Sequence, residues 1–196
     1  MNIRVLGAGV LCAGVLGAVV LSAGVLSAQR KPAPAKPASA NPVLLFETVK
    51  GNFEIELFAK DAPKTVARLL TLVRDNFYRG QRFHRVEPNF LIQIGDPATR
   101  DFTRRARWGQ GGSGESIGVA EIAKQHRHVR GAVGMAHAGR PERADSQLYI
   151  MRAARPGLDG KYAIVGRVIS GMDVVDRIAL TDMVRRVSVK GEARQP

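Results

Sequence analysis

Apolar and polar residues alternate along the stretch that follows Pro42. VLLFETV over Val43–Val49 reads as a strand, Lys50-Gly51-Asn52 as a tight turn, and FEIELF over Phe53–Phe58 as a second strand, so the pair predicts a hairpin. The period then lengthens. Val66, Leu69, Leu70 and Val73 fall at i, i+3, i+4 and i+7, with Asp61 placed to cap and Pro63 in the first turn, which predicts a helix. Further strands are expected at Phe83–Val86, Phe90–Ile94, Ala132–Ala136, Gln147–Met151, Ala163–Ile169 and Val184–Val189, with a short helix near Met172–Ile178. Seven or eight short strands joined mostly by turns predict a mainly β fold, a closed antiparallel barrel without exposed edges.

The N-terminal pattern is different. After MNIR, an uncharged run extends from Val5 to Ala28 and ends in small residues before Gln29. A basic start, an apolar run and a small-residue end make residues 1–28 a secretory signal, and the run is also long enough to serve as an uncleaved membrane anchor. Gly9-Val10-Leu11 before Cys12 lacks the small residues of a lipoprotein site, so lipidation is not expected. Residues 29–42 (QRKPAPAKPASANP) hold four prolines and almost nothing to bury, and read as an extended, disordered tether. Residues 43–191 are then the folded domain, with 192–196 a short tail.

Composition sharpens this picture. A chain of 196 residues suits one domain and an appendage. The only cysteine is Cys12, so a chain cut after Ala28 has none, which suits an oxidising compartment and excludes a disulfide framework or a multi-cysteine zinc site. The formal net charge is +13. The basic residues are scattered, with short runs such as Arg104-Arg105-Ala106-Arg107 and no aromatic-rich stripe, so specific nucleic-acid binding is not expected.

Several familiar chemistries are excluded or weak. Gly109-Gln110-Gly111-Gly112-Ser113-Gly114 has the glycine spacing of a dinucleotide loop but follows no strand and lies in no βαβ unit. His126 and His128 have no carboxylate nearby in sequence and are expected to be solvated, not metal ligands. Ser113 and Ser146 sit in no nucleophile elbow. What stands out is FYRGQRFHRVEPNFLIQIGD, from Phe77 to Asp96. Arg85 and Gln93 could share one face with Phe90 or Leu91 after a turn at Pro88-Asn89, or Phe90 and Leu91 could be core and Arg85 a surface charge.

That stretch resembles the signature of the cyclophilin-type peptidyl-prolyl isomerases. TVARLLTLVRDNFYRGQRFHRVEPNFLIQIGD, GQGGSGESI, RGAVGMAHA, SQLYI and LDGKYAIVGRVISGMDVVDRI occur in the family's order, and the resemblance runs from about Val43 to Val189. It implies an eight-stranded antiparallel barrel capped by two helices, and rotation about Xaa-Pro bonds without a metal or other cofactor. By motif, Arg85 matches the catalytic arginine and Gln93 the glutamine that positions it. Phe90, Leu91, Tyr149 and Leu158 match the apolar pocket, Leu91 standing for a usual methionine and Tyr149 for a phenylalanine at the floor. Ala136 and His137 match positions that pair with the substrate backbone, Gln147 a contact glutamine, and Tyr162 a polar ring position.

Gly157 stands where many relatives have a tryptophan, and Ile94 replaces the first glycine of a common Gly-Gly-Asp. The missing indole implies weak binding of cyclosporin, the cyclic peptide that typically blocks the family. The N-terminal reading and the resemblance together lead to the expectation of a monomeric, exported isomerase, periplasmic or secreted or anchored through residues 1–28, acting on proline-containing unfolded or flexible polypeptides and assisting their folding. A catalytically weak chaperone or proline-peptide scaffold using the same groove is the alternative.

Overall fold

The computed structural model describes residues 41–193. The expected signal or anchor and all but the last two residues of the expected tether lie outside that range. Those last two already touch the domain: Pro42 accepts from the Leu57 N–H at 2.8 Å.

The first hairpin forms as the alternation predicts, from β1 (Val43–Thr48) and β2 (Gly51–Leu57), although the turn is Val49-Lys50 and Gly51 already belongs to the strand. Helix α1 (Pro63–Arg74) buries Val66, Leu69, Leu72 and Val73. A second hairpin, β3 (Arg85–Glu87) and β4 (Leu91–Ile94), turns through Asn89 at φ 53°. Then follow β5 (Ala132–Met135), β6 (Leu148–Met151), β7 (Ile164–Ser170), α2 (Met172–Arg177) and β8 (Val184–Val189). Four short 3-10 segments, unforeseen in the sequence, occupy the connections.

The eight strands form one antiparallel sheet in the order β3-β4-β6-β5-β7-β2-β1-β8. It curls on itself without pairing β3 to β8 along their length: the segments leading into these two edge strands meet through the isolated bridge Arg82↔Met183 and through the backbone hydrogen bonds Gly80 N–H to the Val184 carbonyl, Val184 N–H to the Gln81 carbonyl and Phe83 N–H to the Asp182 carbonyl, at 2.8, 2.9 and 3.0 Å. The expected closed barrel is therefore a curled sheet whose two edge strands form no continuous ladder. The inner face holds the core, with Phe46 stacked on Phe53 at 4.8 Å and Ile55, Leu57, Ile92, Ile94, Met135 and Leu148 buried around them. Helix α1 adds Leu69 and Val73 to this cluster.

One local expectation fails for a tertiary reason. Asp61 does not cap α1; Ala62 occupies the N-cap, and the Asp61 carboxylate faces Gln125 and His126 at 2.8 Å each. The orphan N–H groups of Lys64 and Thr65 donate instead to the carboxylate of Glu121, 57 and 56 residues away in sequence. Around the basic run, Phe102 and Trp108 lie 5.3 Å apart, with the Arg82 and Arg105 guanidinium groups 4.6 and 5.8 Å from their ring centres.

Candidate active site

Successive side chains on a strand point to opposite faces. Both faces of β4 and β6 are covered, so these strands read as continuous apolar runs broken only by Gln93. Ile92, Ile94, Leu148 and Ile150 join the inner core, while Leu91, Tyr149 and Met151 form a second cluster on the other face with Phe90, Leu158 and Tyr162. Register then does what sequence distance hides. Arg85 lies opposite Gln93, Gln93 opposite Tyr149, and Tyr149 opposite Gly134, one row across four strands.

Over this row opens a pocket of about 320 Å³, lined by Arg85, Phe90, Leu91, Gln93, Ala136, His137, Tyr149, Leu158 and Tyr162. Every residue of the expected site is there except Gln147. That side chain lies in an adjoining pocket of about 560 Å³, which shares Gln93, Ala136 and His137 and is walled by residues 109–112. The Ala136 N–H is already taken by the Gln147 carbonyl at 2.9 Å. The His137 ring sits against the Lys161 carbonyl at 3.0 Å and is stacked on Tyr162 at 4.3 Å.

A chain of amides reaches the arginine from the adjoining pocket. Gln147 donates to the carbonyls of Gly109 and Gly111 at 2.9 and 2.7 Å, and its Oε1 accepts from Gln93 Nε2 at 2.7 Å. Gln93 Oε1 in turn faces Arg85 Nη1 at 3.5 Å. The glycine loop at the start of this chain is pinned by buried Asp96, which accepts from the N–H groups of Ala98, Gly109 and Gly111 at 2.9, 2.7 and 3.2 Å. A Cβ on Gly111 would come within 2.5 Å of that carboxylate, which explains the glycine without any phosphate. Arg85 also donates from Nε to Glu87 at 2.7 Å, and its guanidinium stands 5.5 Å from the Phe90 ring centre.

Tyr149 is 4% exposed, and its hydroxyl lies 2.8 Å from His128 Nε2. Nδ1 of His128 is 2.8 Å from Asp159 Oδ1, which also accepts the His128 backbone N–H at 2.8 Å. The expectation of solvated histidines is thus wrong. His128 is buried, and His126 is bonded to Asp61 and stacked on Phe58 at 4.2 Å, because the carboxylates come from elements remote in sequence. Among the described residues no group of three metal-ligating side chains forms. Burial pushes the Tyr149 phenol well above its ordinary pKa, with Tyr162 and Asp159 adding to it. The His128 backbone N–H, and then its ring, hold the Asp159 carboxyl below its usual range.

The family model for cyclophilin type peptidyl-prolyl cis-trans isomerase/CLD matches residues 43–194, almost the whole described chain. The chain belongs to this family. A probable peptidyl-prolyl cis-trans isomerase of Brucella suis is 44% identical over 131 residues, 65% of this chain and 66% of that protein, so the match spans about two thirds of that relative's length. The Helicobacter pylori peptidyl-prolyl cis-trans isomerase is 37% identical over 143 residues, covering 72% of this chain and 82% of its own. Among solved structures, a Cryptosporidium parvum cyclophilin type isomerase superposes with a TM-score of 0.68 at 25% identity, covering 78% of this chain and 99% of that one. The same protein in the presence of the dipeptide Ala-Pro gives 0.66 at 26% identity, covering 76% and 99%.

In this cyclophilin the lip of the pocket is a 3-10 turn, Pro156–Leu158. A Cβ on Gly157 would meet nothing within 4 Å, so the pocket has no wall at that point. Sequence reasoning missed Arg155, whose guanidinium stands 5.2 Å from the Phe90 ring centre and donates to the Asn89 carbonyl at 2.7 Å. Phe90 therefore lies beside two guanidinium groups. Glu87, His128, Gly134 and Asp159 were missed as well. Asp159 lies inside the LDGKY motif, the one signal that could have drawn attention to it.

Proposed function

We propose that this cyclophilin accelerates rotation about Xaa-Pro bonds at the pocket beside Arg85, with polypeptides as substrates. The carrying observation is a guanidinium held by Glu87 and faced by Gln93 at the rim of a pocket of about 320 Å³ that Phe90, Leu91, Tyr149 and Leu158 line, the chemistry and size that suit a proline ring. The Ala-Pro dipeptide used with the Cryptosporidium relative supports the substrate class.

The amide C–N bond resists rotation by ~18–20 kcal/mol because of resonance. Rotation breaks no covalent bond, so no nucleophile is needed. In the twisted state the prolyl nitrogen loses conjugation and becomes a hydrogen-bond acceptor. A guanidinium aimed at it stabilises that state more than either planar isomer. Arginine suits the task because it stays protonated and presents a rigid fork of donors. Phe90, Leu91, Tyr149 and Leu158 grip the ring, Ala136 and His137 flank the substrate backbone, and Tyr162 lines the rim beside His137.

Arg85→Ala is expected to lower kcat/KM on a short Xaa-Pro peptide by about two orders of magnitude or more, the scale of losing one charged transition-state donor. Melting should be unchanged, since the side chain is 45% exposed. Wild-type turnover in a folded Arg85→Ala protein would overturn the assignment.

The compartment in which this occurs is part of the same reading. A charge-free run of signal composition, a proline-rich tether and a cysteine-free remainder support export, with unfolded or flexible polypeptides outside the cytoplasm as clients. Intact-mass measurement on protein from the native cell envelope should find Gln29 at the N-terminus. Met1 retained would replace the cleaved signal with an anchor.

A further inference from the structure

Tyr149 occupies its place only because its neighbour in the row is a glycine: a Cβ on Gly134 would fall on the phenol ring. The ring is laid back over that glycine, and its hydroxyl leaves the pocket floor to meet His128, which is buried. The imidazole is in turn held by Asp159 through both Nδ1 and the backbone N–H. Asp159 directly follows Leu158 and is three residues before Tyr162, both of which line the pocket. Two side-chain hydrogen bonds thus fasten the floor on β6, the segment leading into β5, and the lip of the pocket to one another.

The donor order is set by chemistry. An ionised carboxylate only accepts, so the ring proton facing Asp159 sits on Nδ1. In the neutral imidazole Nε2 then carries the lone pair that receives the Tyr149 O–H. A buried hydroxyl deprived of that acceptor is driven toward solvent, and the open space that Tyr149 lines is the pocket, because leaving a polar group unpaired costs more than the bond itself contributes.

We propose that His128 and Asp159 are positioning residues for the isomerase reaction: acting through Tyr149, they hold its ring over Gly134 so that the floor presents an aromatic face, and not a hydroxyl, to the proline. This rests on the pocket being the proline site. The floor holds the ring in both the planar and the twisted state, so its loss weakens binding more than the chemical step.

The test uses the full chain and an Ala-Pro-containing peptide. His128→Phe keeps a ring in place and removes the acceptor; KM should rise about tenfold with kcat changed less than about threefold, the signature of lost uniform binding. Adding Tyr149→Phe to His128→Phe removes the stranded hydroxyl and should bring KM back to within about threefold of the Tyr149→Phe protein, since removing both partners of a buried bond is nearly neutral. A KM unmoved in His128→Phe, or a double variant as impaired as the single one, overturns the proposal. Should His128→Phe fail to fold, the imidazole 15N spectrum of the wild type decides: a proton on Nδ1 alone, with a signal that moves in Tyr149→Phe, supports the relay, and an Nε2–H overturns it. Wild-type protein without turnover would sink the functional reading, while the 15N spectrum would still read the relay by itself.

Discussion

Gly157 shows how a single missing side chain shapes a surface. The position has room, since nothing lies within 4 Å of a Cβ, and its backbone is not in the left-handed region that would strain another residue. A tryptophan there would project into free space at the lip. Losing a large aromatic contact at a binding hot spot costs on the order of 2 kcal/mol or more, roughly thirtyfold in affinity. The wild type is therefore expected to bind cyclosporin weakly, and Gly157→Trp to tighten it by more than tenfold while changing peptide turnover little. Nanomolar inhibition of the unmodified protein, measured by titrating turnover, would mean that another group, with Arg155 the nearest candidate, rebuilds the wall.

At the level of elements, α1 carries a lesson about caps. Its first turn lacks a side-chain cap from its own sequence, and Glu121 supplies one from a distant loop through Lys64 N–H, Thr65 N–H and Thr65 Oγ1. A carboxylate at a helix N-terminus also meets the positive end of the dipole. Glu121→Ala is expected to cost on the order of 1–2 kcal/mol, the range of an N-cap loss, and a few degrees in Tm. Asp61→Ala should leave that cap intact and remove only the contacts to Gln125 and His126. Thermal melts of the two variants compare them directly; an Asp61 variant with the larger loss would return the capping role to the local residue.

For the whole molecule, acid should act in two stages. Burial lowers the His84 pKa from 6.5, with Asp96 opposing and Arg85 assisting. The folded state then binds fewer protons than the unfolded chain as pH falls past 6.5, so this stability is present above that pH and declines below it. Asp159 and Asp176 are held below 3.8, the first chiefly by the His128 N–H and the second by Arg130. Their contributions persist until the pH drops through that range. Denaturant melts should show stability beginning to fall as the pH drops below about 6.5, then falling more steeply once the carboxylates protonate below about pH 4. His84→Gln should abolish the first stage alone. A wild-type profile that stays flat until the carboxylates titrate would mean that the His84 ring is not desolvated.

The sequence by itself determined the elements, because period-two and near-3.6 patterns are local properties of the chain. It also marked Arg85, Phe90, Leu91 and Gln93, which lie within nine residues of one another, and the ordered motifs carried Ala136, His137, Gln147, Tyr149, Leu158 and Tyr162. Local alternation left Arg85 between groove and surface; the pairing of β3 with β4 and β4 with β6 places it in one row with Gln93 and Tyr149, its side chain 45% exposed. Only the tertiary structure could show that Glu121 caps α1, that the two edges of the sheet meet at Arg82 and Met183, or that His128 is buried between Asp159 and Tyr149. Each of these depends on residues separated by 21 to 101 positions meeting at about 3 Å or in strand register. Hydrophobic periodicity reports which face of an element is buried. It does not report which distant polar group will be waiting on the other side, since that is fixed by strand register and loop path once the core has closed.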